Sequence, residues 1–329
     1  MMSATETSVG TRPAAEILPV RVDRVENVAL NVRRVSFRRL DGAEFPRWEP
    51  GSHIDVIMPE HVRQYSLCSS PSQTDVLQIA VLRAPESRGG SAWVHDMLRE
   101  GQELTISAPR NNFPFRDSPR YLFLAGGIGI TALLPMIEAA EAAGRDWRLV
   151  YGGRYRRNMA FVDELQARWP DRVSVHASRE GARLDLDAVL AMPRAKMHIY
   201  ACGPESMLEE IEDWCLGWPP GVLHVERFLA ANLDAGSSLE PFRVELVHSG
   251  TSVTVSPGQS VLEAIESAGV RVLSSCRAGV CGTCETEVLN GEVEHRDAIL
   301  SPAERAEGRS MMVCVSRAAA GCPSLRLDL

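Results

Sequence analysis

The chain has 329 residues, enough for two or three domains that each bury their own core. Its 45% apolar and 24% charged content is that of a globular protein, and a formal net charge of −8 excludes the clustered basic face of a nucleic-acid binder. The longest uncharged run, residues 121–137, is too short for a membrane span and contains Gly126, Gly127, Gly129, Thr131 and Pro135, so no membrane segment is expected.

Residues 1–15 are rich in Ser, Thr and Ala without the apolar stretch of an export signal and read as a flexible tail on a cytoplasmic protein. In that compartment Cys68, Cys202, Cys215 and Cys322 are expected as thiols. Up to about residue 115 the chain offers short, Val-rich runs separated by turn residues, the pattern of an antiparallel β-barrel. Within it stand Arg63-Gln64-Tyr65-Ser66-Leu67 and then Arg88-Gly89-Gly90-Ser91, the latter leading into a helix expected over 92–98. Backbone N–H groups, a serine and two arginines suit a phosphate. Taken singly, a strand arginine is a solvated face and Gly-Gly-Ser a turn.

From about 116 to 228 strand and helix patterns alternate, which indicates a parallel sheet with helices on both faces. Gly126-Gly127-Ile128-Gly129-Ile130-Thr131 follows the first of these strands and opens a helix, so its backbone can approach a pyrophosphate. The acidic ribose partner of a dinucleotide fingerprint is missing, because Tyr151-Gly152-Gly153-Arg154 stands at its place. Cys202-Gly203-Pro204 precedes the last helix, and Glu226-Arg227-Phe228 ends the segment. Ser178 and Arg179 follow the third strand, where a bidentate arginine suits a 2′-phosphate, or where they form a solvated turn.

Residues 229–240 are small and polar, the composition of a linker. Beyond it come an alternating hairpin around Ser249-Gly250, a helix capped by Ser260 with Glu263 three residues on, and then Cys276, Cys281, Cys284 and Cys314. C-x4-C-x2-C with a distant fourth cysteine is the plant-type ferredoxin spacing, in which four thiolates hold two irons and two sulfides. Gly279 and Gly282 let the backbone pass close to the sulfides. A zinc site or a set of structural thiols is the alternative, although zinc knuckles pair their ligands as C-x2-C. The acidic residues Glu285, Glu287, Glu292, Glu294 and Asp297 form either a docking face or a solvated surface.

Together these motifs resemble the phthalate dioxygenase reductase family of the ferredoxin reductase superfamily, in the order flavin, nicotinamide, ferredoxin. The resemblance implies three domains: an FMN-binding antiparallel β-barrel (1–115), an α/β parallel-sheet NAD(P)-binding domain (116–228) and, after the linker, a β-grasp 2Fe-2S ferredoxin domain (241–329). It implies that Arg63, Arg88, Gly89, Gly90 and Ser91 hold the FMN phosphate, with Tyr65 and Ser66 against the flavin ring, Gln64 also among the cofactor-binding residues, and bound FAD as the alternative. Gly126, Gly127, Gly129, Thr131, Cys202, Gly203 and Pro204 would serve NADH or NADPH, with Ser178 and Arg179 the candidates for NADPH. Ser66, Cys202 and the shielding Phe228 are the candidate catalytic residues. Hydride would pass from NAD(P)H to FMN, and single electrons through the cluster to a terminal oxygenase. That partner is expected to be of Rieske non-haem iron type, with a haem-thiolate monooxygenase as runner-up, and the chain is expected to be a monomer. A non-catalytic redox sensor or electron carrier is the reading from a different class.

Overall fold

The structure is a computed structural model and describes residues 16–85, 89–181, 184–191, 196–228 and 240–329. It divides into two compact units, Glu16–Phe228 and a second whose described residues run from Glu240 onward. Linker residues 229–239 and Arg88 lie outside the described residues.

The first unit begins with an antiparallel sheet. Strands β1 (Ile17–Ala29), β2 (Val32–Arg39), β3 (Ser52–Ile57), β4 (Val62–Ser66) and β5 (Leu77–Leu82) precede helix α1 (Gly90–Asp96), and β6 (Glu103–Ser107) and β7 (Arg110–Asn111) follow it. They pair in the order β4-β3-β6-β1-β2-β5, with β7 beside β3. The two ends of this sheet meet through a Leu67–Ile79 bridge, which closes the barrel. Alternation does the sorting. Leu18, Val20 and Val22 point inward to meet Phe37, Ile54, Val56 and Ile106, and Val94 and Leu98 on and just after α1 pack against the same core.

The parallel sheet follows in the order β10-β9-β8-β11-β12: β8 (Arg120–Gly126), α2 (Ile130–Ala142), β9 (Asp146–Gly153), α3 (Val162–Arg168), β10 (Val173–Ala177), α4 (Leu186–Leu190), β11 (Met197–Cys202), α5 (Glu205–Cys215) and β12 (Leu223–Glu226). Every residue of β8 after Arg120 is buried, as a central strand covered on both faces requires. Phe123, Tyr151 and Tyr200 pack with α2, while Leu122, Leu124 and Ile199 pack with α4 and α5. The core on the α2 side also takes in Val32, Ala80 and Phe113, so the barrel and the parallel sheet share buried side chains across the position near 115 where the strand pattern changes.

In the second unit β13 (Phe242–Leu246), β14 (Thr251–Val255), α6 (Val261–Ser267), β15 (Glu285–Asn290), β16 (Val293–Glu294), α7 (Pro302–Glu307), β17 (Ser310–Met312), β18 (Arg317–Ala318) and β19 (Ser324–Leu327) form a mixed sheet ordered β14-β13-β19-β15-β17 and a β16-β18 ribbon. The C-terminal strand inserts parallel to β13. The expected cap on α6 is a full capping box, with Glu263 N donating to Ser260 Oγ at 3.1 Å and Ser260 N donating to Glu263 Oε2 at 2.9 Å. Among the described residues no helix is long and apolar enough to cross a membrane.

Candidate functional site

In a parallel sheet all strands end on one edge, and here that edge carries Gly126, Gly153, Ala177, Cys202 and Glu226, the side on which such folds bind ligands. The two glycine motifs interlock there. A β-carbon at Gly129 would lie 2.1 Å from the carbonyl oxygen of Cys202, and one at Gly126 would lie 2.5 Å from Pro204 Cδ. Only glycine permits this approach. Thr131 is buried and its hydroxyl donates to the Ile128 carbonyl at 2.9 Å, so it fixes the turn from within. Ser178 and Arg179 reach the same edge, where Arg179 N donates to the Arg154 carbonyl at 2.9 Å, and both are exposed.

Cys202 and Glu226 are opposed across β11 and β12. The Glu226 carboxylate accepts from Ser66 Oγ at 3.5 Å, and Cys202 Sγ lies 4.0 Å from the same oxygen. Burial pushes the Glu226 carboxyl up to about 8, with the Ser66 hydrogen bond opposing, and burial pushes the Cys202 thiol well above its usual range. The structure therefore joins the predicted Ser66 and Cys202 through Glu226, which the sequence reading placed only at a segment end. Phe228 is 37% exposed at the end of this unit.

On β4 the alternation separates the predicted flavin residues. Arg63 and Tyr65 stand opposite Val56 and Ile54, whereas Gln64 and Ser66 stand opposite Asp55 and His53. Gln64 Oε1 and both ring nitrogens of His53 are buried without a hydrogen-bond partner among the described residues, so the Gln64 side chain belongs to this second face and not beside Arg63. Burial raises the Tyr65 phenol to about 12, with the nearby Arg63 charge opposing. The Arg63 stem crosses the start of α1, where a β-carbon at Gly90 would sit 2.4 Å from Arg63 Cγ and 3.1 Å from Nε. Ser91 Oγ accepts from Ala84 N at 3.2 Å. α1 itself starts two residues before the expected 92. A cradle that any β-carbon would fill, crossed by a guanidinium, fits the phosphate of FMN.

The four cysteines of the second unit are buried. They form two hydrogen-bonded pairs, in which Cys276 holds the Cys281 thiol down and Cys284 holds the Cys314 thiol down. Among the described residues no three His, Cys, Asp or Glu side chains converge on one point. Two pairs of thiols suit two irons with two protein ligands each, not a single zinc ion. The acidic stretch is not one surface. The Asp297 side chain is fully buried and accepts from Ile299 N at 3.0 Å and Leu300 N at 2.8 Å, and Glu294 is paired with Arg296 at 3.0 and 3.1 Å. Glu292 is exposed.

Two family models match: an oxidoreductase NAD-binding domain over residues 123–213 and a 2Fe-2S iron-sulfur cluster binding domain over 244–319. A toluene-4-sulfonate monooxygenase system reductase subunit of Comamonas testosteroni is 41% identical over 92% of this chain and 97% of its own. Phthalate dioxygenase reductase of Burkholderia cepacia is 36% identical over 95% and 97%, and a solved phthalate dioxygenase reductase structure superposes with a TM-score of 0.74, covering 95% and 98%. An intact type IV self-sufficient cytochrome P450 monooxygenase contains a similar portion, 40% identical with a TM-score of 0.84, covering 95% of this chain and 41% of that one.

Proposed function

Because the chain belongs to the phthalate dioxygenase reductase family, and is thus an NAD(P)H-dependent flavin and iron-sulfur oxidoreductase supplying a terminal oxygenase, we propose that Ser66, Cys202 and Glu226 form the junction where nicotinamide meets flavin and that the partner is a Rieske-type non-haem iron oxygenase. The observation that carries the junction is the approach of a barrel hydroxyl, Ser66 Oγ, to the carboxylate of Glu226 at the ligand edge of the parallel sheet, 3.5 Å apart. When bound, FMN supplies hydride acceptance and release of single electrons, and the 2Fe-2S cluster supplies one-electron transfer.

The chain's own residues position and screen. Arg63, Gly89, Gly90 and Ser91, with Arg88, hold the flavin phosphate. Tyr65, kept neutral by burial, lies along the ring system. The Gly126, Gly127 and Gly129 turn receives the pyrophosphate of the nicotinamide cofactor, with Gly203 and Pro204 packed behind it. Phe228 covers the flavin face until the nicotinamide displaces it. Cys202 presents a neutral thiol, so of these three side chains Glu226 is the one whose charge titrates near neutral pH. Cys276 with Cys281 and Cys284 with Cys314 would supply the thiolates that hold the two irons.

The Rieske reading rests on the resemblance and on matches over nearly the whole length of reductase subunits of oxygenase systems. A haem-thiolate partner is the second reading, favoured by the similar portion within a self-sufficient cytochrome P450. Anaerobically reduced protein mixed with a purified Rieske oxygenase or with a purified haem-thiolate monooxygenase decides between them. Rapid reduction of the Rieske centre alone is expected; rapid reduction of the haem alone overturns the Rieske reading.

A further inference from the structure

His61 lies against the phosphate cradle. A tight turn closed by Met58 N donating to the His61 carbonyl at 2.8 Å places it immediately before β4. Two residues apart on an extended chain, His61 and Arg63 face the same side. Their side chains then cover consecutive glycines. A β-carbon at Gly89 would lie 2.0 Å from His61 Nε2 and 2.6 Å from Cδ2, as one at Gly90 would lie 2.4 Å from Arg63 Cγ. Gly89 has φ +92, so both its conformation and its bare surface under the imidazole require glycine.

We propose that His61 is a further ligand of the FMN phosphate, its Nε2–H donating to a phosphate oxygen beside Arg63. The inference rests on the reading that Arg63 and residues 89–91 hold that phosphate. The chemistry favours a terminal monoester. Near neutral pH such a group carries more than one negative charge, and a charged acceptor strengthens each N–H contact roughly twofold over a neutral one. His61 is half-buried, so its contact is partly shielded from water, and its replacement leaves the barrel core untouched.

Flavin titrations of the flavin-freed full chain separate a phosphate ligand from a packing residue. The readout is quenching of flavin fluorescence with FMN and with riboflavin, which has the same ring system and no phosphate. His61→Ala is expected to weaken FMN about tenfold or more and to leave riboflavin unchanged, while His61→Gln, which keeps an N–H donor, recovers part of the loss. Unchanged FMN affinity in His61→Ala, or an equal loss for FMN and riboflavin, overturns the inference. Arg63→Ala tests the reading beneath it: if Arg63→Ala lowers FMN affinity and His61→Ala does not, only the role of His61 falls, and if Arg63→Ala leaves FMN affinity intact the phosphate assignment itself falls.

Discussion

Ser66 and Glu226, 160 positions apart in the chain, meet at 3.5 Å, and this contact ties the last strand of the parallel sheet to the flavin strand of the barrel. Cys202, 4.0 Å from the same carboxylate oxygen, completes a group whose members come from three strands. Burial leaves Glu226 as the member that changes charge near neutral pH.

That carboxyl, pushed up to about 8, is mostly neutral at pH 7 and ionised above pH 8. An ionised carboxylate stabilises the positive charge that develops on a nicotinamide as hydride departs. Flavin reduction by NAD(P)H in anaerobic stopped flow should therefore accelerate as pH rises through about 8, and Glu226→Gln should be flat at the low-pH level. A native enzyme without this inflection contradicts the assignment.

Gly129→Ala would press a β-carbon to 2.1 Å from the Cys202 carbonyl oxygen, a backbone contact that cannot relax by side-chain motion. The expected outcome is a rise in KM for NAD(P)H of at least about tenfold, with flavin content and iron content unchanged. Loss of flavin along with nicotinamide binding would show that the glycine turn supports the whole unit and not the nicotinamide site alone.

Arg179 stands exposed at the ligand edge, its backbone N–H on the Arg154 carbonyl, and the contact proposed for its side chain is a 2′-phosphate. Should it make that contact, the protein favours NADPH, and Arg179→Ala loses about 1.5–3 kcal/mol of the preference. A clear native preference for NADH in steady-state kinetics refutes the contact.

Of Glu285, Glu287, Glu292, Glu294 and Asp297, Glu292 is the exposed one, whereas Asp297 holds two backbone N–H groups in the interior. Glu292→Arg is expected to slow electron delivery to the partner at low salt, and the difference from native should vanish near 1 M salt, where the Debye length is about 3 Å. Asp297→Ala should instead cost about 3 kcal/mol of stability, measured by denaturant unfolding. Identical delivery rates for Glu292→Arg and native at low salt exclude docking through this residue.

The spacing of the cysteines and the order of the glycine motifs carried the fold and the cofactor set in the sequence, because both are local: a loop that wraps sulfides, or a turn that meets a pyrophosphate, writes its demands into adjacent residues. Glu226 was not legible in that way. Its raised carboxyl comes from burial beside a serine far off in the chain, and as sequence it is one more acid at a strand end. Asp297 misleads for the same reason, since a run of acids reads as surface until backbone amides are seen to converge on one of them. Gln64 stands with Ser66 on the face of β4 opposite Asp55 and His53, a sorting by strand alternation that was readable once the partners of β4 were known. His61 carries no motif, and only the bare surfaces of Gly89 and Gly90 reveal its position.

Electron flow is expected to have a fixed order: nicotinamide reduces the flavin, and electrons then pass to the cluster proposed to be held by Cys276, Cys281, Cys284 and Cys314. Anaerobic mixing with NAD(P)H, followed by absorbance in the native protein and in Cys281→Ser, tests it most directly. Flavin bleaching is expected to precede the cluster change in the native protein, and Cys281→Ser is expected to lose the iron-sulfur spectrum while its flavin bleaches at the native rate. Cluster reduction that precedes flavin bleaching, or a Cys281→Ser protein whose flavin is no longer reduced, would contradict it.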